Sequence, residues 1–325
     1  MVNWKGVSRK LKETRRGGKL QAFLAVLRYE FLWNLRKKKT IGLFLIVFTF
    51  VTLRLALFPL LDYFSGVTLR PDPSFVFDNV SVLQPTLLLF LLAIATTMNT
   101  ISGEFESGTI IPLLTKPVSK GLVFTGKIVA AFLTLLGAYI FLAVYTTIGG
   151  LIIYGPQNNL ELVPAGVLGL TAATMVWAAI VIALGTLSKN SMVAALGGFG
   201  IYLGTTIVGA ILTIYLGATS ILFYTPGDGP TATTATCGAV IEGNATSFIT
   251  GTNGLGSVIM NWILNPALSV NFCGIRFRGN RPETFALSAE SISTVALRDI
   301  GVGVVYIIAL FVVSWLALRR TQITE

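Results

Sequence analysis

The residues able to do chemistry are few, and most of the usual sets are missing. No histidine occurs among the 325 residues, which removes Ser-His and Cys-His nucleophile pairs, histidine metal sites and histidine pH switches together. One phosphate signature comes close. Gly121-Leu-Val-Phe-Thr-Gly126-Lys127 matches the first seven positions of a P-loop, but the eighth is Ile128, where a hydroxyl should hold magnesium. No strand precedes the run and an apolar stretch follows, so it is not read as a nucleotide site. The acids that stand out are Glu104 and Glu106, in Ser102-Gly-Glu-Phe-Glu-Ser-Gly-Thr-Ile-Ile-Pro-Leu-Leu-Thr-Lys-Pro-Val-Ser-Lys120. Acids come first, an apolar patch follows, and basic residues close the stretch. This pattern suits a short helix offered to a partner protein, with Ile110, Ile111, Leu113 and Leu114 as its buried face. A helix lying on the bilayer would carry positive charge early instead of Glu104 and Glu106.

The elements that must position this stretch are membrane spans. Hydrophobic residues make up 54% of the chain and charged residues 12%, against roughly 25% charged in soluble domains. A spanning helix needs about 20 mostly apolar residues. Six such runs are present: Ile41–Leu61, Val82–Ser102, Lys127–Tyr154, Val163–Leu187, Met192–Ala218 and Ile300–Leu318. The fold expected is an all-α membrane protein of six transmembrane helices, with an extended outer segment between spans five and six. Thr219–Tyr224 and Ser257–Val270 in that segment are too short to span and read as re-entrant or interfacial pieces. Before the first span, Leu20, Leu24, Leu27, Phe31 and Leu35 recur at helical spacing, beside Gln21, Arg28 and Arg36. They predict an amphipathic interfacial helix over Leu20–Arg36, running into Arg36-Lys-Lys-Lys39. The chain thus divides into a basic tail and interfacial helix (1–39), spans one to five with the loop 103–126 (40–218), an extracytoplasmic segment (219–298), and the sixth span with its C-terminus (299–325).

Charge placement orients these spans. The net charge is +10, and 12 of the 24 Lys and Arg residues lie in the first 39 positions. With that tail inside, 18 of them and all eleven lysines fall on the inner side, while nine of the 14 acids fall outside. Both termini are therefore expected in the cytoplasm of a multi-pass cell-membrane protein. About 40 hydrophilic residues precede the first apolar run, so no cleavable signal peptide is read there. The basic excess is an orientation signal aided by anionic membrane lipid, not a nucleic-acid footprint. On the outer side lie Cys237 and Cys273, placed for a disulfide that would restrain the unfolded chain by about 4 kcal/mol. Two unpaired thiols are the alternative. Asn79-Val-Ser and Asn244-Ala-Thr fit the glycosylation pattern, in a host that glycosylates.

Within the spans Arg54 is the only charge inside an apolar run. It either snorkels to the outer headgroups or lines a substrate path. No carboxylate lies well inside a span, which argues against an ion-coupled secondary transporter and an intramembrane enzyme. A membrane anchor whose outer segment binds a partner is a further alternative. Gly200-Ile-Tyr-Leu-Gly204 is a GxxxG that allows close helix approach, within the chain or in a dimer. No metal site is read.

The pattern Gly-Glu-x-Glu-x-Gly-Thr…Leu-Leu…Lys-Pro-Val-Ser-Lys…Gly-Lys in 103–127 resembles the loop between the second and third spans of ABC-2-type permeases, the membrane subunits of ATP-binding-cassette exporters. The interfacial helix ending in Leu35-Arg-Lys-Lys-Lys39, the six spans and Leu264-Asn-Pro266 extend the likeness over most of the chain. The outer segment departs from it, being longer and more polar than a short re-entrant hairpin. The resemblance implies a coupling helix that docks on an ATPase subunit, through Glu104, Glu106, Gly108, Thr109, Leu113, Leu114, Lys116 and Pro117. It implies a dimer with a second permease copy or paralogue, enclosing a path along spans one, two and five. ATP and magnesium would be bound by the partner ATPase, and no cofactor by this chain.

Overall fold

The computed structural model describes residues 4–66, 71–83, 85–109, 119–212, 220–234, 247–278 and 281–320. Its helices are α1 (Trp4–Arg36), α2 (Lys38–Ser65), α3 (Phe75–Ser81), α4 (Leu87–Thr97), α5 (Ser102–Glu106), α6 (Lys120–Ile153), α7 (Val163–Ser188), α8 (Ser191–Ile211), α9 (Leu255–Leu264) and α10 (Ile292–Arg320). The strands are β1 (Thr231–Thr233), β2 (Ser247–Ile249), β3 (Ser269–Arg278) and β4 (Arg281–Ser291). Among the described residues five helices are long and apolar enough to cross a membrane: α2, α6, α7 with the turn before it, α8 and α10.

The centre of the bundle is α7. Its sequence is apolar on every face, and a helix of that kind is stable only when surrounded. It is surrounded, by α3, α4, α6, α8, α9 and α10. Trp177, Ala178, Ala179, Val181 and Thr174 are buried, and the α7 threonines return their hydroxyls to the carbonyl four residues back, as Thr171 does to Val167 and Thr174 to Leu170. Glycine sets the closest approach. A Cβ on Gly169 would stand 2.5 Å from Gly256 Cα on α9, and one on Gly256 would stand 2.2 Å from the Ser81 carbonyl oxygen on α3. Three helices therefore meet at backbone distance, as small residues permit in membrane interiors.

The expected second span is replaced by a broken path. No single helix runs over Val82–Ser102; instead α3, α4 and α5 follow one another with turns between them. At 11 residues α4 is about 16 Å long, short of a ~30 Å hydrocarbon layer. Pro85 stands just before it, where proline ends one helix or opens another. At its other end Thr96, Thr97, Thr100 and Ser102 each bond the carbonyl four residues back, the pattern that bends helices.

The all-α expectation also fails beyond α8. The segment carries a four-stranded antiparallel sheet in the order β2-β1-β3-β4. The β3–β4 hairpin pairs Ser269 with Ser291 and, at its tip, Arg278 with Arg281, with a register shift at Phe272/Cys273. Ser257–Val270 is not one re-entrant piece: it holds most of α9 and then enters β3. Within Thr219–Tyr224 a 3-10 turn forms at Ser220–Tyr224. The last helix starts at Ile292, eight residues before the expected Ile300, so the boundary drawn between 298 and 299 falls inside α10. Its first turns belong to the outer core, where Ile292, Val295 and Ala296 pack with Phe223, Val258, Val270 and Phe272. Cys273 is buried on β3, while Cys237 and Asn244 lie outside the described residues.

Polar contacts staple this region to the bundle. Trp177 Nε1 donates to Asn253 Oδ1 at 2.7 Å, Asn253 Nδ2 to Asp228 at 2.9 Å, and Thr86 Oγ1 to the other Asp228 oxygen at 3.1 Å. Asp299, fully buried on α10, accepts from the Gly251 amide at 2.7 Å.

Candidate functional site

The sequence pattern that pointed outward to a partner begins with two acids, and both bond to other helices of this chain, Glu104 half-buried and Glu106 exposed. They lie at the lysine-rich end of the bundle, on the five-residue helix α5. Ile101 and Phe105 seat that helix against Phe124 of α6, Ile182 of α7, and Trp315 and Leu318 of α10.

Glu104 takes part in a charged node. Lys127, 4% exposed on α6, donates to Glu104 Oε1 at 2.8 Å and to Glu30 Oε1 on α1 at 2.5 Å. The second Glu104 oxygen accepts from Thr109 Oγ1 at 3.1 Å. One ammonium thus joins three elements that are distant in sequence. Lys37, between α1 and α2, stands close enough to feel the node. Burial holds its pKa below the usual lysine value and Lys127 pushes the same way, while Glu30 and Glu104 oppose. Packing brings the node together: α1 lies along the start of α6, with Val26 and Phe23 against Gly126, so close that a Cβ there would fall 2.9 Å from Val26 Cγ1.

Glu106 is a helix cap supplied from another element. Its carboxylate accepts from the Ser191 amide at 2.7 Å and from Ser191 Oγ at 2.6 Å, at the first residue of α8. Asn190 caps the same end by accepting from the Val193 amide at 3.0 Å. An anion there is favoured by the unpaired amides and the helix dipole. Hydrogen bonds from the Ser191 side chain, then from its backbone, hold the Glu106 pKa below the ordinary glutamate value. Lys189, in the left-handed conformation at the α7–α8 turn, sets its ammonium 5.6 Å from the Phe105 ring.

The predicted site residues therefore divide. Glu104, Glu106, Gly108 and Thr109 are brought together, Gly108 with a φ of +68° that a side chain would strain. Leu113, Leu114, Lys116 and Pro117 lie outside the described residues. The P-loop-like run is helical within α6, with Gly121 against Trp315 and Lys127 committed to carboxylates, so it forms no phosphate cradle. Gly200 and Gly204 have nothing within 4 Å of a built Cβ. Arg54 lines a groove among α2, α3, α6 and α7. Asn79 donates its side-chain amide to the Phe75 carbonyl at 2.7 Å. Glu30, Ser191 and the pairing of Lys127 were not legible. The hint in the sequence is that Glu30 and Lys127 are charges set beside apolar runs and that Ser191 opens one.

The family described as ABC-2 family transporter protein matches residues 26–223, from the middle of α1 to the turn after α8. No individual curated protein matches the chain. The matched stretch holds the charged node, the Glu106 cap and the first four long apolar helices, and it covers well over half of the 325 residues. The chain belongs to the ABC-2 family of transporter proteins.

Proposed function

We propose that the chain is the permease subunit of an ATP-driven exporter, energised by a separate ATPase that docks on the loop between α5 and α6. Two permease copies, or this chain and a paralogue, enclose the path. ATP and magnesium stay on the ATPase, and this chain catalyses nothing itself. The protein spans the cell membrane with both termini in the cytoplasm, which makes the lysine-rich end the inner one. Leu20, Leu24, Trp33 and Leu35, exposed on α1, then rest on the inner membrane surface.

The observation that carries this reading is that both acids are bonded to other helices of the chain. A loop serving only as a connection has no need to be tied to three helices by buried or capped charge. Through Glu104 the loop grips α6 and α1, and through Glu106 it grips the start of α8. A push on the loop is then delivered to helices instead of being absorbed by a floppy turn. Gly108, Thr109, Leu113, Leu114, Lys116 and Pro117 supply the docking surface, and Glu104 and Glu106 transmit what it receives. Outside, a Cys237–Cys273 disulfide would brace the sheet.

The test is reconstitution of the purified chain in vesicles with and without a candidate partner ATPase. Hydrolysis should require the ATPase and be altered by adding the permease. Leu113→Asp should abolish co-purification of the ATPase. Glu106→Ala should leave co-purification intact and lower transport per ATP hydrolysed. A chain that moves substrate down an ion gradient with no ATPase present would overturn the reading.

A further inference from the structure

The groove beside Arg54 is the feature of the bundle that the coupling argument leaves unused. It is a shallow groove on the side of the bundle, with an interior of only about 30 Å³. Its walls are mostly apolar, from Val51 and Leu55 on α2, Phe75 and Val80 on α3, Leu142 on α6 and Leu170 on α7. The Tyr139 ring forms part of the wall, but its hydroxyl is already taken by Thr174, so it offers the groove no polar group. Asn79, at the rim, has given its amide to Phe75.

Thr146 on α6 adds a hydroxyl to the lining, and Arg54 is the lining residue that carries a charge. No carboxylate among the described residues lies within ion-pair distance of it. Asp78 acts on it only through space, and Ser74 Oγ stands 3.1 Å from Asp78. A guanidinium carries five donors in a planar fork suited to an oxyanion. Depth supplies the second half of the argument. Arg54 is 16 residues along α2 from Lys38, hence about 24 Å up the helix axis. In a ~30 Å hydrocarbon layer that places its head at the boundary of the far leaflet. The groove thus has a cation at headgroup depth and apolar walls beside it.

We infer that this groove binds a phosphate-headed lipid from the outer leaflet, its phosphate on Arg54 and an acyl chain along the α2–α6–α7 wall. A freely soluble phosphate would meet the same guanidinium but leave the apolar walls uncovered. The inference does not depend on the ATPase partner, because binding is measured on this chain alone.

The test uses the full chain purified in neutral maltoside detergent. Binding is followed for a tail-labelled phosphatidic acid and for diacylglycerol with the same labelled tail, with inorganic phosphate as competitor. The phosphate-headed lipid should bind at least about ten-fold more tightly than diacylglycerol, the contribution of one charge-assisted hydrogen bond or more. Arg54→Gln should remove that preference, Arg54→Lys should restore part of it, and millimolar phosphate should compete poorly. An Arg54→Gln protein that elutes and melts like the parent excludes misfolding as the cause. Ala143→Leu, which fills the groove without touching the charge, should weaken both lipids. Equal binding of the two lipids, an unchanged preference in Arg54→Gln, or full displacement by inorganic phosphate would overturn the inference.

Discussion

Replacing Lys127 by methionine should be among the most damaging single changes at the lysine-rich end. Methionine keeps the length of the side chain and its fit inside α6, so little cavity energy enters. What changes is charge. Two carboxylates lose their common cation, with Glu30 side-chain exposure at 9% and Glu104 at 20%. Removing one partner of a buried pair costs about 3–5 kcal/mol, since the remaining charge stays desolvated. Glu104 can still use Thr109 and part of the solvent, which favours the lower end, about 3 kcal/mol. For a chain of this length the usual unfolding entropy makes that a fall of roughly 4–5 °C in melting temperature. The assay is thermal unfolding of the detergent-purified chain, run as a cycle. Lys127→Met alone should fall by that amount. Lys127→Met with Glu30→Gln and Glu104→Gln should regain most of it, because no uncompensated charge is left. Purely additive losses across the cycle would refute the node as an electrostatic unit. An unchanged melting temperature for Lys127→Met would refute its burial.

Three further outcomes follow from the same geometry. Gly256→Ala should destabilise by about 1–3 kcal/mol or more, since its Cβ would lie 2.2 Å from the Ser81 carbonyl oxygen and backbone cannot yield as a side chain can; a melting curve like the parent's would refute that crossing. Gly204→Ala should leave the melting of the monomer unchanged or slightly raised, because nothing lies within 4 Å and alanine favours helix; a loss of dimer at constant monomer stability would identify the α8 face as a subunit contact. The Glu106 cap has a depressed folded-state pKa, so its stabilisation is present above the unfolded value near 4.5 and is lost as pH falls through the folded value; Glu106→Gln should therefore lower the melting temperature at neutral pH and above, and the difference from the parent should disappear as pH falls through the folded value.

How much of this was legible in sequence depended on how local the cause was. The long apolar helices follow from runs of residues, a one-dimensional property. The second span misled because an apolar run reports burial, not continuity. Leu87–Thr97 is as apolar as a span needs, but the hydroxyls that bend its end and the proline before it act through backbone hydrogen bonds that hydropathy averages away. The sheet was missed for a related reason. Ser269–Arg278 and Arg281–Ser291 flank Gly279-Asn280, a dipeptide that favours tight hairpins, but β3 begins in the apolar stretch that had been joined to α9.

The loop after α5 shows where a pattern stops and a fold begins. Its acids, apolar patch and basic end suggested a docking segment. They could not reveal which way Glu104 and Glu106 face, because their partners are remote in sequence: Lys127, Glu30 and Ser191. Once those partners are known, an acid that looked like bait for another protein is also a tie within this one. The distinction has an experimental consequence. A docking residue should lose the ATPase when changed, whereas a tie should keep the ATPase and lose the transmission of its stroke. Glu106→Ala and Leu113→Asp lie in the same short loop and should therefore fail in opposite ways. If both variants lose the ATPase equally, the loop acts as a single contact surface and the division between tie and dock is wrong.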